Sequence, residues 1–158
     1  MSISIQISKN INDFDTAASL MAQSEPWITL GMHKEQCLKA FEGEFKEIYI
    51  LSVDQVLAGF IILQTQGSFK GYIQTICIHP AYRGQGLGTK LIKYCESLIF
   101  KYSPNVFICV SSFNKKAFNL YTQLGYTMVG ELPHFVQQGY TEILLRKTIG
   151  PVLGYTPQ

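Results

Sequence analysis

Residues 76–92 carry the pattern that decides the fold, with the sequence Ile76-Cys-Ile-His-Pro-Ala-Tyr-Arg83-Gly-Gln-Gly86-Leu-Gly88-Thr-Lys-Leu-Ile92. A strand, a loop with one arginine and three glycines, and a helix follow one another. The first backbone N–H groups of a helix have no acceptor within it and form an anion site. Glycine lets an anion approach the backbone closely, and Arg83 adds positive charge. The segment predicts a phosphate-binding loop; the simpler alternative is a glycine-rich turn that only starts a helix.

Two well-known phosphate motifs do not fit this loop. The P-loop needs four residues between its glycines and then Lys-Ser/Thr. Here Gly84 and Gly88 are too close together, and Thr89-Lys90 has the reverse order. The dinucleotide motif GxGxxG needs a third glycine where Thr89 stands.

The rest of the chain predicts an α/β (α+β) domain in which about four helices flank a mixed, mostly antiparallel sheet. Asn12 or Asp13 is the expected cap of the first helix. Residues 1–150 are expected to form a single domain and residues 151–158 a poorly structured C-terminal tail. The predicted strands are 2–8, 46–53, 56–66, 71–79, 105–110, 126–131 and 141–147, and the predicted helices are 13–21, 33–41, 88–102 and 114–124.

Composition excludes several classes of protein. The 158 residues are 47% hydrophobic and 15% charged, as expected for a globular chain, and the net charge of +2 gives no reason to expect nucleic-acid binding. No apolar run approaches the ~20 residues of a membrane span, and no signal peptide is recognisable. A cytoplasmic protein is therefore expected. The four cysteines lack CxxC spacing and the three histidines are isolated, so no metal site is predicted and the cysteines are expected to be reduced core thiols.

A second motif follows in Asn114-Lys-Lys-Ala117-Phe-Asn-Leu-Tyr121-Thr-Gln-Leu-Gly125-Tyr126. Seven residues are close to two helical turns, so Asn114 and Tyr121 share one face. Ala117 lies between them, and its small side chain leaves room for a thin ligand. The alternative is that Tyr121 only packs against the sheet.

Together the two motifs resemble those of the GNAT superfamily of N-acetyltransferases, and the resemblance covers about residues 46–147. The first matches Gln/Arg-x-x-Gly-x-Gly/Ala, and the second matches Asn-x-x-Ala-x-x-x-Tyr-x-x-x-Gly-Phe/Tyr. The chain resembles the type that acetylates N-termini of ribosomal proteins. The resemblance implies acetyl-CoA as the acetyl donor. It also implies a set of residues that bind it: Ile76, Cys77, Ile78, Arg83, Gly84, Gln85, Gly86, Leu87, Gly88, Thr89, Asn114, Ala117 and Tyr121.

Within that set, the resemblance implies separate roles. The backbone of residues 76–78 pairs with the pantetheine arm, and residues 84–89 hold the pyrophosphate. Asn114 hydrogen-bonds the pantetheine, and Tyr121 lies beside the thioester sulfur. A tyrosine hydroxyl can protonate a departing thiolate, so Tyr121 is the predicted general acid.

The general base is not evident in the sequence. The resemblance implies a carboxylate on the strand before the loop or five residues before Asn114, but Gln74 and Cys109 stand there. One alternative is a water molecule held by Gln74, Thr75 or backbone carbonyls. A second is His134 or Glu131 in the last strand connection, and a third is Tyr72. A substrate with a less basic amine would need little base.

By the same resemblance, the acceptor binds between the N-terminal helices and the last strand connection. Trp27, Gln74, His134 and Phe135 are the candidate residues for contact with it, although Trp27 equally suits a loop anchor. The expected acceptor is a primary amine of a small molecule or of a peptide or protein N-terminus. A monomer or homodimer is expected. The competing interpretations are a non-catalytic acyl-CoA-binding sensor on the same fold and an unrelated phosphate-binding α/β domain.

Overall fold

A computed structural model describes residues 1–157 as a seven-stranded mixed sheet in the order β1-β2-β3-β4-β5-β7-β6, flanked by four α-helices within those residues. All neighbouring strands are antiparallel except β4 and β5. The predicted fold class and order of elements are confirmed. The elements are β1 (Ile3–Ser8), α1 (Ile11–Ala22), α2 (Lys34–Lys39), β2 (Lys46–Val53), β3 (Val56–Gln64), β4 (Tyr72–Ile78), α3 (Leu87–Ile99), β5 (Asn105–Ser111), α4 (Lys115–Gln123), β6 (Thr127–Pro133) and β7 (Thr141–Thr148).

Several predicted boundaries are wrong by a few residues. Asn10, and not Asn12 or Asp13, caps α1: its Oδ1 accepts from the N–H of Asn12 at 2.9 Å, which places Asn12 inside the first turn. Helix α3 ends at Ile99 instead of residue 102. Strand β6 continues to Pro133, where it still pairs with β7. No part of 150–157 is helix or strand, but the Tyr155 hydroxyl donates to the carbonyl of Phe100.

Both faces of the sheet are covered by helices. Helices α1 and α2 bury one face through residues such as Ala18, Met21 and Cys37. Helices α3 and α4 cover the opposite face, where Leu91 and Tyr121 are buried against the strands. All four cysteines are free, and three are buried.

Strands β4 and β5 separate soon after they meet. They pair only at Tyr72–Phe107 and Ile73–Ile108, next to a 3.0 Å hydrogen bond from the Phe107 N–H to the Gly71 carbonyl. A β-bulge begins directly after this contact, because Ile73 pairs with Leu63 and Thr75 with Ile62, which leaves Gln74 as the extra residue. A bulge bends its strand. The rest of β4 therefore diverges from β5, and a wedge opens through the sheet.

No helix in residues 1–157 has both the length and the apolar composition required to cross a bilayer.

Candidate active site

A cavity of about 1000 Å³ occupies the wedge between β4 and β5. Its walls come from both sides of the sheet: the start of α3 and helix α4 on one side, and the α1–α2 connection on the other. A ligand in this cavity can therefore contact groups on the two faces at once. Thirteen residues were predicted to bind acetyl-CoA, and the cavity wall includes all of them except Gln85.

The loop between β4 and α3 leaves a series of backbone donors free at one end of the cavity. In α3, the first bonded N–H after Gly86 is that of Lys90, which donates to the Gly86 carbonyl at 3.0 Å. The N–H groups of residues 84–89 have no acceptor within residues 1–157. Gly86 caps α3 with φ 76°, in the left-handed region that suits glycine, and an added Cβ there would meet open space. The loop fits a phosphate group.

Arg83 lies at the same end with a fixed orientation. Its Nε donates to the carbonyl of Ile78 at 2.9 Å, while the residue itself is exposed. This bond ties the guanidinium to the end of β4, where Arg83 also contacts the Cys77 thiol. Arg83 thus adds positive charge beside the free N–H groups of the loop.

The edge of β4 that faces the wedge offers unpaired backbone groups. The N–H of His79 donates to the carbonyl of Ala58 in β3 at 2.7 Å. Successive N–H groups of a strand point to opposite sides, so the N–H of Cys77, two residues earlier, also points toward β3. The N–H groups of Ile76 and Ile78 then point into the wedge. An extended polar ligand can pair with this edge as an added strand would.

Tyr121 projects from α4 into the cavity wall and is 7% exposed. Burial raises the pKa of its hydroxyl, which keeps the proton on the oxygen. This hydroxyl forms no hydrogen bond to any group of residues 1–157. A protonated, unengaged hydroxyl is suited to donating to a ligand atom.

Asn114 and Ala117 lie on the same part of the wall. Asn114 caps α4, since its Oδ1 accepts from the N–H of Ala117 at 3.3 Å. The side-chain oxygen therefore fixes the start of the helix, and the amide Nδ2 remains as a donor.

Apolar groups of two connections line the cavity on the α1–α2 side. Pro26 and Trp27 come from the α1–α2 connection, and Phe135 comes from the β6–β7 connection. The two connections are joined by a 3.1 Å hydrogen bond from Gln137 Nε2 to the carbonyl of Leu30. Trp27 and Phe135 thus line the cavity in the region predicted to bind the acceptor.

The other two residues predicted to contact the acceptor differ in position. Gln74 lines the cavity, and its Nε2 donates to the carbonyl of Ala40 at 3.0 Å. His134 is exposed and is not part of the wall; its Nδ1 accepts from the N–H of Gly139 at 2.9 Å. Glu131, an alternative base, is likewise outside the wall.

Sequence reasoning missed Glu142, a carboxyl group in the cavity wall that is only 7% exposed. Its Oε2 accepts from the Ser111 hydroxyl at 2.7 Å. Burial raises the pKa of this carboxyl, and the Ser111 hydrogen bond opposes part of the rise. The only signal in the sequence was a charged residue inside a predicted strand, which does not reveal the face it occupies.

The comparison with family models agrees with this geometry. The model described as "Acetyltransferase (GNAT) family" matches residues 12–126, which is more than half of the chain. The chain therefore belongs to the GNAT acetyltransferase family, and the resemblance drawn from the two motifs is confirmed. The acyl donor of this family is acetyl-CoA.

Individual relatives share only moderate sequence identity with this chain, over part of its length. The thialysine N-epsilon-acetyltransferase of Mus musculus is 39% identical over 67 residues, which are 42% of this chain and 39% of that protein. The N-alpha-acetyltransferase of Sulfurisphaera tokodaii is 26% identical over 121 residues, covering 68% of this chain and 71% of that protein. The chain thus spans well under half the length of the mouse relative.

Among solved structures, the ribosomal-protein-S18-alanine N-acetyltransferase of Escherichia coli has the same fold. The TM-score is 0.75 at 17% identity, over 98% of this chain and 99% of that one.

Proposed function

We propose that this protein is an N-acetyltransferase that transfers the acetyl group of acetyl-CoA directly to a primary amine. The observation that carries the proposal is a single wedge that joins an anion-binding loop to a free, protonated tyrosine hydroxyl. An acyl-CoA needs both, because its phosphates are at one end and its thioester at the other. Residues 84–89 and Arg83 would hold the phosphates, and the edge of β4 with Asn114 would hold the arm.

Bound acetyl-CoA supplies an acetyl group activated as a thioester. The backbone N–H groups of Ile76 and Ile78 face the wedge and orient the arm. Tyr121 holds its proton at Oη and donates it to the departing sulfur. The apolar side chains of Trp27 and Phe135 offer a surface from which a bound acceptor would displace water, which favours transfer to an amine over hydrolysis.

The acceptor is assigned as a primary amine of a small molecule or of a peptide or protein N-terminus. The names of two relatives support both kinds of acceptor, since one is a thialysine N-epsilon-acetyltransferase and another is an N-alpha-acetyltransferase. An opening between two connections suits an amine carried on a chain that extends out of the cavity. We expect the enzyme in the cytoplasm, as a monomer or homodimer.

The test is an assay of free CoA thiol with acetyl-CoA and a panel of amines that includes peptides with different N-termini. Wild type should release thiol with one amine class, and Tyr121→Phe should lower kcat by about 10²-fold or more with acetyl-CoA affinity kept. Tyr94→Phe is the matched control, because Tyr94 lies on α3 outside the cavity wall. Tight acetyl-CoA binding without transfer to any amine would instead indicate a non-catalytic sensor.

A further inference from the structure

We propose that Glu142 is the general base that accepts a proton from the acceptor amine. This inference rests on the proposed function and assigns the one role that the sequence left open. The carboxylate accepts a proton from nitrogen as nitrogen forms its bond to the acetyl carbon. The carbon–sulfur bond breaks, and sulfur takes that electron pair and the proton of Tyr121. Proton exchange with water then restores the Glu142 carboxylate and the Tyr121 hydroxyl.

The strand register puts Glu142 on the acceptor side of the sheet. Ile143 and Leu145 pack into the core under α3 and α4, so the alternation of β7 turns Glu142 to the opposite face. Ser111, the cross-strand partner of Glu142, faces the same way. Tyr121 enters the cavity from the α4 side. An amine that enters from the α1–α2 side of the sheet would reach the wedge with Glu142 on that same side. The proposed general acid, Tyr121, would be on the α3–α4 side.

The hydrogen bonds of Glu142 leave one oxygen free. Oε2 accepts from Ser111, and no group of residues 1–157 donates to Oε1. Glu25 is the other carboxylate in the cavity wall, and both of its oxygens already accept from Thr29. Among the described residues of the wall, Glu142 is therefore the carboxylate with an oxygen available for an ammonium or amine proton.

The neighbouring polar groups are poor bases. Gln74 is an amide that donates to the Ala40 carbonyl. Burial raises the pKa of the Cys109 thiol, so it stays protonated at neutral pH. Burial also raises the pKa of the Tyr72 hydroxyl, which contacts Cys109. The carboxylate is left as the group that can take a proton.

Among the described residues, no charged group near Glu142 offsets the effect of burial on its pKa. Tyr72 of β4 and Cys109 of β5 are the titratable groups near it, and both are neutral when protonated. Its partner on β6 is Leu132, and its partner on β5 is Ser111. Within residues 1–157 it forms no ion pair. Burial thus holds the pKa above the ordinary value of a glutamate, which brings its basicity closer to that useful at neutral pH.

The test is the pH dependence of kcat/KM for wild type, Glu142→Gln and Ser111→Ala with the best amine of the panel. Wild type should lose activity as pH falls through the Glu142 pKa. Glu142→Gln should lower kcat/KM by about 10²- to 10⁴-fold and lose the limb that belongs to Glu142, which leaves only the limb set by the acceptor amine's own ionisation. Ser111→Ala should move the limb to higher pH, since the hydroxyl stabilises the ionised carboxylate. Glu35→Gln, an exposed change on α2, should leave the profile unchanged.

A second readout needs no turnover. In protein without acetyl-CoA, the ¹³C carboxyl resonance that disappears in Glu142→Gln should titrate at the pH of the acidic limb. An active Glu142→Gln that keeps the limb would overturn the role of Glu142 and leave the proposed function standing. A wild type that acetylates no amine would overturn both.

Discussion

The rings of Tyr121 and Tyr126 lie 6.3 Å apart at an angle of 62°, yet only one of their hydroxyls is bound within the protein. Tyr126 Oη donates to Glu96 Oε2 at 2.7 Å, and Lys147 pairs with the other oxygen of Glu96 at 3.1 Å. Tyr121 has no such partner among residues 1–157. The Tyr126 hydroxyl is therefore bound within the core, whereas the Tyr121 hydroxyl lies in the cavity wall, unbound by any of the described residues.

Tyr126→Phe should lower the free energy of unfolding by about 1–3 kcal/mol, because it leaves one oxygen of the buried Glu96 without a donor. Urea unfolding of the variant beside Tyr121→Phe measures this difference. Tyr121→Phe removes no hydrogen bond within the protein and should change stability less. Equal destabilisation by the two variants would contradict the division of roles.

Gly86→Ala should weaken acetyl-CoA binding by about tenfold or more, because the methyl group would intrude on the approach of a phosphate to the backbone and a lost hydrogen bond to a charged group costs about 1.5–3 kcal/mol. Calorimetric titration with acetyl-CoA measures the affinity. Gly154→Ala is the control, because Gly154 has a similar φ of 78° and lies outside the cavity wall. Comparable loss of affinity in both variants would show that the effect is not specific to the loop before α3.

Glu142→Gln should become more stable relative to wild type as pH rises. Burial raises the pKa of Glu142 above its unfolded value. Its contribution to stability is thus fully present below the unfolded pKa of about 4.3 and is lost as pH rises through the folded pKa. Glutamine does not ionise, so the variant does not lose this contribution to stability as pH rises. Urea midpoints of both proteins at pH 5 and pH 8 test the sign, and a difference that is independent of pH would count against a buried, ionising carboxyl.

Gln137→Ala should raise KM for the acceptor without changing the affinity for acetyl-CoA. Gln137 Nε2 bonds the carbonyl of Leu30 and holds together the two connections that line the acceptor side. Residues 84–89, the proposed phosphate site, lie at the other end of the cavity and should be unaffected. Steady-state kinetics with varied amine, alongside Gln138→Ala as a neighbouring exposed control, measure the effect. An unchanged acceptor KM would show that this bond does not shape the acceptor opening.

Local patterns in the sequence were sufficient for the order of the elements and for most of the residues that line the α3–α4 side of the cavity. The glycines and Arg83 before α3 act within one loop, and Asn114 and Tyr121 are related by the repeat of one helix. Such features depend on short-range geometry, so the residues alone predict them. The cap of α1 was misplaced by two or more residues because several Asn and Asp side chains compete at that point.

The opposite side of the cavity depended on contacts between distant parts of the chain. Gln74 becomes a bulged residue only through its register with β3, and that bulge begins the separation of β4 from β5. Glu142 meets Ser111, 31 positions earlier in the chain, only because β7 inserts between β5 and β6. Short-range patterns fix the helices, the strands and the loop of residues 84–89. The pairing of strands across the sheet decides where the wedge opens and which carboxyl group is buried in it.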